Sequence, residues 1–272
     1  MPIITCPDCG HHPVSDRAAA CPKCGCPIAA PNVSSGSPNQ AVAVPGQQDG
    51  SQAIAQLESI VKEAQRELLT SDQAEVVARR IADSKRTAFS SRDAFVETSV
   101  ANRILVLGDE DVDILKSLDA DQRLRIKALY ALACDRLDGT MLGGLKGFRN
   151  LAVLDLSYSS GWTSTEMRIA FSRDVDLSVL QHLYLRRSRR VCSYGIMYWL
   201  KQATQLEGLY LDGSTNAELN DDLAGQVSSH LLRKHSLRTL SIQGCSQLAS
   251  PLFLGAMQGV LERYPQLKMI GP

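Results

Sequence analysis

Apolar residues return along residues 126–272 with both a long and a short period. Take Ile126, Leu151, Leu180, Leu206, Leu237 and Leu267 each as position 1. Position 4 then reads Leu129, Leu154, Leu183, Leu209, Leu240 and Ile270. Position 6 reads Ala131, Leu156, Leu185, Leu211 and Ile242, and position 12 reads Leu137, Trp162, Val191, Ala217 and Leu248. Position 9 is always small and able to hydrogen-bond: Cys134, Ser159, Ser188, Ser214, Cys245. Successive starts lie 25, 29, 26, 31 and 30 residues apart, and self-similarity at such a period marks a solenoid. Alternation at positions 4 and 6 predicts a strand with one buried face. Apolar helix faces follow the strands. Met167, Ala170 and Phe171 come after a capping box at Thr163-Ser-Thr-Glu166, and Met197, Trp199 and Leu200 share the stretch Tyr194 to Ala203. Leu219, Leu223, Val227 and Leu231 recur every four residues, as do Phe253, Met257 and Leu261. One strand and one helix cannot bury such faces alone, whereas stacked units share a continuous core. The position-9 side chain is expected to bond loop backbone where the chain leaves the strand, which makes Cys134 and Cys245 structural rather than reactive.

Upstream the period becomes helical. Ile54, Leu57, Val61, Ala64 and Leu68 place one apolar seam on a helix. Thr70-Ser71-Asp72 interrupts it, and Asp72-Gln-Ala-Glu75 reads as the cap of a second helix through Val77, Ile81 and Lys85. Arg79, Arg80, Lys85 and Arg86 give that helix a basic, solvated face. A helical hairpin packed on the end of the repeats is favoured over a dimerising coiled coil, which needs a longer run of heptads. Leu105, Leu107, Ile114 and Leu115 read as a degenerate first repeat, as expected for a terminal unit.

The repeat core is cleanest in Leu237-Arg-Thr-Leu240-Ser-Ile242-Gln-Gly-Cys245-Ser-Gln-Leu248. It resembles the leucine-rich repeat family, in its cysteine-containing, ribonuclease-inhibitor-like subtype. The resemblance implies an α/β solenoid, a curved parallel sheet with outer helices, over residues 101–272, preceded by a helical cap segment at 52–100. It also implies that positions 3, 5 and 7 point outward on the concave side. Position 3 carries Ala128, Val153, His182, Gly208 and Thr239, and position 5 carries Tyr130, Asp155, Tyr184, Tyr210 and Ser241. Position 7 carries Leu132, Ser157, Arg186, Asp212 and Gln243. Tyr130, Asp155, His182, Tyr184, Arg186, Tyr210 and Asp212 are therefore the candidate partner-binding residues, since tyrosine and arginine dominate binding hot spots. The plainer reading is that tyrosine is a good strand former.

The strongest chemical motif lies in residues 1–28. Cys6-Pro-Asp-Cys9-Gly10 and Cys21-Pro-Lys-Cys24-Gly25 are two C-x-x-C pairs with eleven residues between them. Four converging thiolates match tetrahedral Zn²⁺ and leave no open position for catalysis. The piece resembles the short zinc ribbons at the N-termini of many prokaryotic proteins, which implies Cys6, Cys9, Cys21 and Cys24 as ligands and a bacterial setting. Cys26 reads as a spare thiol, and His11 and His12 as exposed loop residues. So small a module folds only with its metal, and without a basic stripe interleaved with aromatics it suits docking better than nucleic-acid reading. Residues 29–51 hold one charge, Asp49, and no aromatic side chain, the composition of a flexible tether.

Charge excludes a global field. Lysine plus arginine and aspartate plus glutamate number 29 each, so nothing recruits nucleic acid or an anionic membrane over long range. Five of the eight cysteines crowd into residues 6–26, and with no secretory signal that pattern points to a reducing cytoplasm. Arg186, Arg187, Arg189 and Arg190 form a tight basic cluster whose forks suit carboxylates or phosphates. No Gly-rich phosphate loop, nucleophile motif or open zinc position supports catalysis, although His182 near Asp155 or Asp212 invites comparison with a dyad. The expectation is a cytoplasmic, non-enzymatic interaction scaffold with a structural zinc ribbon. The alternative is a nucleic-acid-associated regulator acting through the ribbon and the arginine cluster.

Overall fold

The computed structural model describes residues 3–4, 14–15, 49–162, 166, 169, 175–189, 191–234 and 236–272. The chain divides into two compact units, Met1–Gly46 and Gln47–Pro272. In the first, β1 (Ile3–Ile4) and β2 (Val14–Ser15) pair antiparallel, with Ile3 opposite Ser15. The expected zinc ligands Cys6, Cys9, Cys21 and Cys24, with His11, His12 and Cys26, lie outside the described residues. So does most of the helix expected after Thr163.

The second unit opens with α1 (Gly50–Ala64), α2 (Ser71–Ala88) and α3 (Arg92–Asn102). Helix α1 buries Ile54, Leu57, Val61 and Ala64, the predicted seam, but it stops there and Leu68 lies beyond it. Helix α2 is capped by Thr70 rather than Asp72. The Thr70 hydroxyl accepts from the Gln73 N–H, and the Gln73 side chain accepts from the Thr70 N–H, a reciprocal box that satisfies two otherwise orphaned donors. Lys85 does not join a solvated basic face. It is buried, paired with Asp111, and its ammonium stands 5.2 Å from the centroid of the Phe95 ring, partners that a desolvated charge requires. Arg79, Arg80 and Arg86 remain on the exposed side in ordinary surface pairs.

Seven strands follow: β3 (Ile104–Leu107), β4 (Ala128–Ala131), β5 (Val153–Asp155), β6 (His182–Tyr184), β7 (Gly208–Tyr210), β8 (Thr239–Ser241) and β9 (Lys268–Ile270). They form one parallel sheet in simple sequence order, an α/β architecture compatible with a solenoid-like arrangement. Strand pairing places Leu105, Leu129, Leu154, Leu183, Leu209 and Leu240 in one row, all fully buried. The degenerate first repeat is thus the first strand, with Ile114 and Leu115 buried behind it, and α1 and α3 pack on β3. The last strand departs from the predicted register. Lys268 N–H meets the Arg238 carbonyl as position 2 does throughout, yet Met269, not Ile270, lies opposite Leu240. The chain is one residue shorter there between loop and ladder.

Among the described residues, the longer helices behind the sheet are α4 (Ser193–Gln202), α5 (Asp222–Lys234) and α6 (Pro251–Arg263). Trp199, Leu200, Leu223, Val227, Leu231, Phe253 and Met257 turn inward as their spacing predicts. Ala217 is exposed, and Leu219 fills the position-12 place in that repeat. Among the described residues no helix is long and apolar enough to cross a membrane.

Two columns tie consecutive repeats at the end of the strands. Each position-9 side chain donates to the position-6 carbonyl of the preceding repeat. Cys134 Sγ reaches Leu107 O, Ser159 Oγ reaches Ala131 O, Ser188 Oγ reaches Leu156 O, Ser214 Oγ reaches Leu185 O and Cys245 Sγ reaches Leu211 O, at 3.1–3.5 Å. All five are buried, so each satisfies a carbonyl that water cannot reach. Burial also raises the Cys134 thiol and pushes that of Cys245 up to about 11, which keeps both protonated as donors. Position 8 is left-handed in the five repeats of β4 to β8: Ala133, Tyr158, Arg187, Gly213 and Gly244, with φ of 49–72°. There the N–H turns to the next repeat, as in Tyr158 to Arg186 O and Arg187 to Asp212 O, both 2.7 Å. For the three residues with a Cβ this geometry costs roughly 1–2 kcal/mol each, offset by the bonds that the turn makes.

Candidate interaction face of the sheet

Because side chains alternate along a strand, positions 3, 5 and 7 share the face opposite the helical layer α4–α6. The face is not open along its length. Tyr130 is 2% exposed, Asp155 0%, Asp212 3% and Arg186 8%, so the expectation of seven exposed candidates is corrected for these four. His182, Tyr184 and Tyr210 are half-buried.

The covering group is the chain's own N-terminal helical segment. Tyr130 Oη donates to Glu58 of α1 at 3.2 Å, and burial with that carboxylate alongside holds its phenol far above the usual range. Gln65, just past α1, donates from Nε2 to Asp155 Oδ2 at 2.7 Å, while Ser157 N–H donates to Oδ1 at 2.9 Å. Burial raises the Asp155 carboxyl, and these hydrogen bonds with nearby Arg186 oppose the rise. Leu69 N–H donates to Tyr158 Oη at 2.9 Å.

Arg186 is the hub. Its Nε lies 3.0 Å from Asp212 Oδ2, and its Nη1 donates to the Gln65 carbonyl. Asp212 in turn accepts from the Ser241 hydroxyl and from the Gln243 N–H at 2.8 Å. A guanidinium carries its charge into the interior, so its desolvation is costly without such partners. The basic cluster predicted from Arg186 to Arg190 is therefore divided: Arg186 is paired, Arg187 half-buried, Arg189 exposed, and Arg190 outside the described residues.

Beside this hub the open part forms a shelf of rings. Tyr184 and Tyr210 stack with centroids 4.2 Å apart and planes 4° from parallel. The Arg186 guanidinium carbon stands 5.6 and 5.4 Å from their centroids, within cation–π range. His182 lies 6.4 Å from each ring; its Nδ1 makes no hydrogen bond, and burial lowers its pKa. Gly208 makes the shelf possible. A Cβ there would stand 2.7 Å from His182 Nδ1 and 2.7 Å from Tyr210 Cε2, closer than such atoms approach. Neither carboxylate considered for a dyad bonds to His182: Asp155 is committed to Gln65 and Ser157, Asp212 to Arg186, Ser241 and Gln243.

Sequence reasoning found the columns but missed Gln65, Leu69, Tyr158 and Gly208. Only Tyr158 and Gly208 carried a signal, at positions 8 and 3 of the repeat. Among the described residues no group of three or more His, Cys, Asp or Glu side chains is placed to hold a metal ion. No protein-family model matches the chain, and no curated protein matches it.

Proposed function

We propose that the chain is a non-enzymatic interaction protein of the leucine-rich repeat kind, acting in the cytoplasm, whose concave face holds a protein partner through His182, Tyr184 and Tyr210. The observation that carries this reading is the ring shelf itself: three adjacent half-buried rings on a rigid sheet, with a fixed guanidinium beside two of them. Rings so held lose little freedom on binding and offer both apolar area and polar tips, the properties of a hot spot. Tyr130, Asp155, Arg186 and Asp212 support the shelf from within.

The N-terminal ribbon serves as a second, docking contact. Its donor set of four thiolates, Cys6, Cys9, Cys21 and Cys24, fits Zn²⁺, which would supply folding energy and no catalytic position. A tether of about twenty residues would give the two contacts a useful mutual effective concentration. Of the arginine cluster behind the nucleic-acid alternative, Arg186 is committed to Asp212 and Gln65.

The test is a pull-down from native lysate, with wild type beside the double variant Tyr184→Ala, Tyr210→Ala, scoring protein and nucleic acid. A protein retained by wild type in moderate salt and lost by the variant supports the reading. Nucleic acid held by both and stripped by salt contradicts it.

A further inference from the structure

The five residues Gln65–Leu69 leave α1 and cross four successive repeats before α2 begins. Three hydrogen bonds and one apolar contact seat them. The Gln65 side-chain amide reaches Asp155 in β5, the Arg186 guanidinium holds the Gln65 carbonyl, and Tyr158 Oη accepts the Leu69 N–H. Leu68 lies over two glycines: a Cβ on Gly213 would stand 3.3 Å from its Cδ1, and one on Gly244 3.5 Å from its Cδ2.

The groups that receive the segment are held without it. Asp155 keeps the Ser157 N–H, Arg186 keeps Asp212, and the left-handed Tyr158 and Gly213 are fixed by their N–H bonds to the next repeat. The helices are likewise anchored elsewhere, by α1 and α3 on β3, by Tyr130–Glu58 and by Lys85–Asp111. Two of the three hydrogen bonds go to main chain, a carbonyl and an N–H that any peptide carries. A preformed site of this kind binds with little reorganisation.

We infer that the strip from Asp155 to Gly244 is a peptide-recognition groove, filled in cis by Gln65–Leu69 and able to exchange it for a partner segment of the same chemistry, Gln-x-x-Leu-Leu. The inference rests on the reading of this face as a partner-binding surface. The glutamine amide is read by Asp155, the following carbonyl by Arg186, the first leucine by Gly213 and Gly244, and the next N–H by Tyr158. The cis segment competes at an effective concentration of order millimolar, so the wild type takes a free peptide weakly. Weakening the cis leucine contact frees the groove.

The probe is a fluorescent peptide of the sequence Ala64-Gln65-Arg66-Glu67-Leu68-Leu69-Thr70-Ser71, titrated into the full chain by anisotropy. The Leu68→Ala protein should bind it about tenfold more tightly than wild type, and a peptide with alanine at both leucines should not bind. Absence of binding to a Leu68→Ala protein that still melts cooperatively overturns the proposal. Hydrogen exchange on the wild type decides it should that variant fail to fold. Leu69 N–H should exchange at least about a hundredfold faster than the amides of β6 and β7, through local opening. Equal rates would mean that the segment leaves only on global unfolding, and overturn the proposal. The peptide and exchange arms leave Tyr184 and Tyr210 in place. Loss of partner capture by the tyrosine double variant without peptide binding sinks the groove and spares the shelf; the converse sinks the shelf alone.

Discussion

One face of one sheet behaves in two ways. Around β4 and β5, Tyr130 and Asp155 are sealed under α1 and the segment that follows it, and they act as core. Around β6 and β7, Tyr184 and Tyr210 occupy the same position of the repeat but remain half-buried and stacked on one another, with half-buried His182 beside them at position 3. The same column thus carries a structural tyrosine at one end and surface-forming tyrosines in the middle. Position within a repeat decides direction; what lies above the sheet decides role.

Stability measurements on substitutions in the two halves sharpen that contrast. Tyr130→Ala removes a sealed ring and should cost about 3–5 kcal/mol, whereas Tyr210→Ala loses mainly its ring partner and should cost about 1 kcal/mol. Equal losses in urea unfolding would erase the distinction. Gly208→Ala comes next, at about 1–3 kcal/mol for crowding, and it should alter the tyrosine near-ultraviolet circular dichroism by forcing the rings apart. An unchanged spectrum would mean that the shelf does not depend on that missing Cβ. Ser214→Ala deletes one rung between repeats and should cost about 1 kcal/mol, with no effect on the shelf.

The smallest effect is pH. Burial holds the His182 pKa below its ordinary 6.5, so below that value the unfolded chain binds the proton more readily and stability falls as pH falls. The loss begins near the ordinary value and is complete once pH drops through the lowered one. His182→Gln should flatten that part of the profile; an unaltered profile would show that the ring carries no such penalty.

Much of this fold was legible because it is periodic. A leucine at position 4 buries the same way in each repeat, and the position-9 cysteines and serines announced a hydrogen-bonding rung. What escaped was local or distant. Gly213 and Gly244 hinted at the left-handed position 8, but Ala133, Tyr158 and Arg187 concealed it, because tertiary bonds there outweigh intrinsic preference. The missing residue before β9 shifts the last register without disturbing the leucine spacing that signals it. Leu68 continued the helical seam by its spacing, yet its contact is with Gly213 and Gly244, 145 and 176 residues away along the chain. For the same reason the cover on Tyr130 and Asp155 was invisible: a repeat pattern reports which side faces out, not which distant segment lies on it. Lys85 looked like a solvated cation and Arg186 like a free binding group because their carboxylate partners, Asp111 and Asp212, are 26 residues downstream in each case.

The most direct test of the divided face is hydroxyl-radical footprinting of the full chain, alone and with the captured partner. Tyr130 should be protected in both states, and Tyr184 and Tyr210 should become protected only with the partner. Tyr194, exposed on α4 behind the sheet, should stay reactive throughout. Protection of Tyr194 with no change at Tyr184 and Tyr210 would place the partner on the helical side and contradict the account.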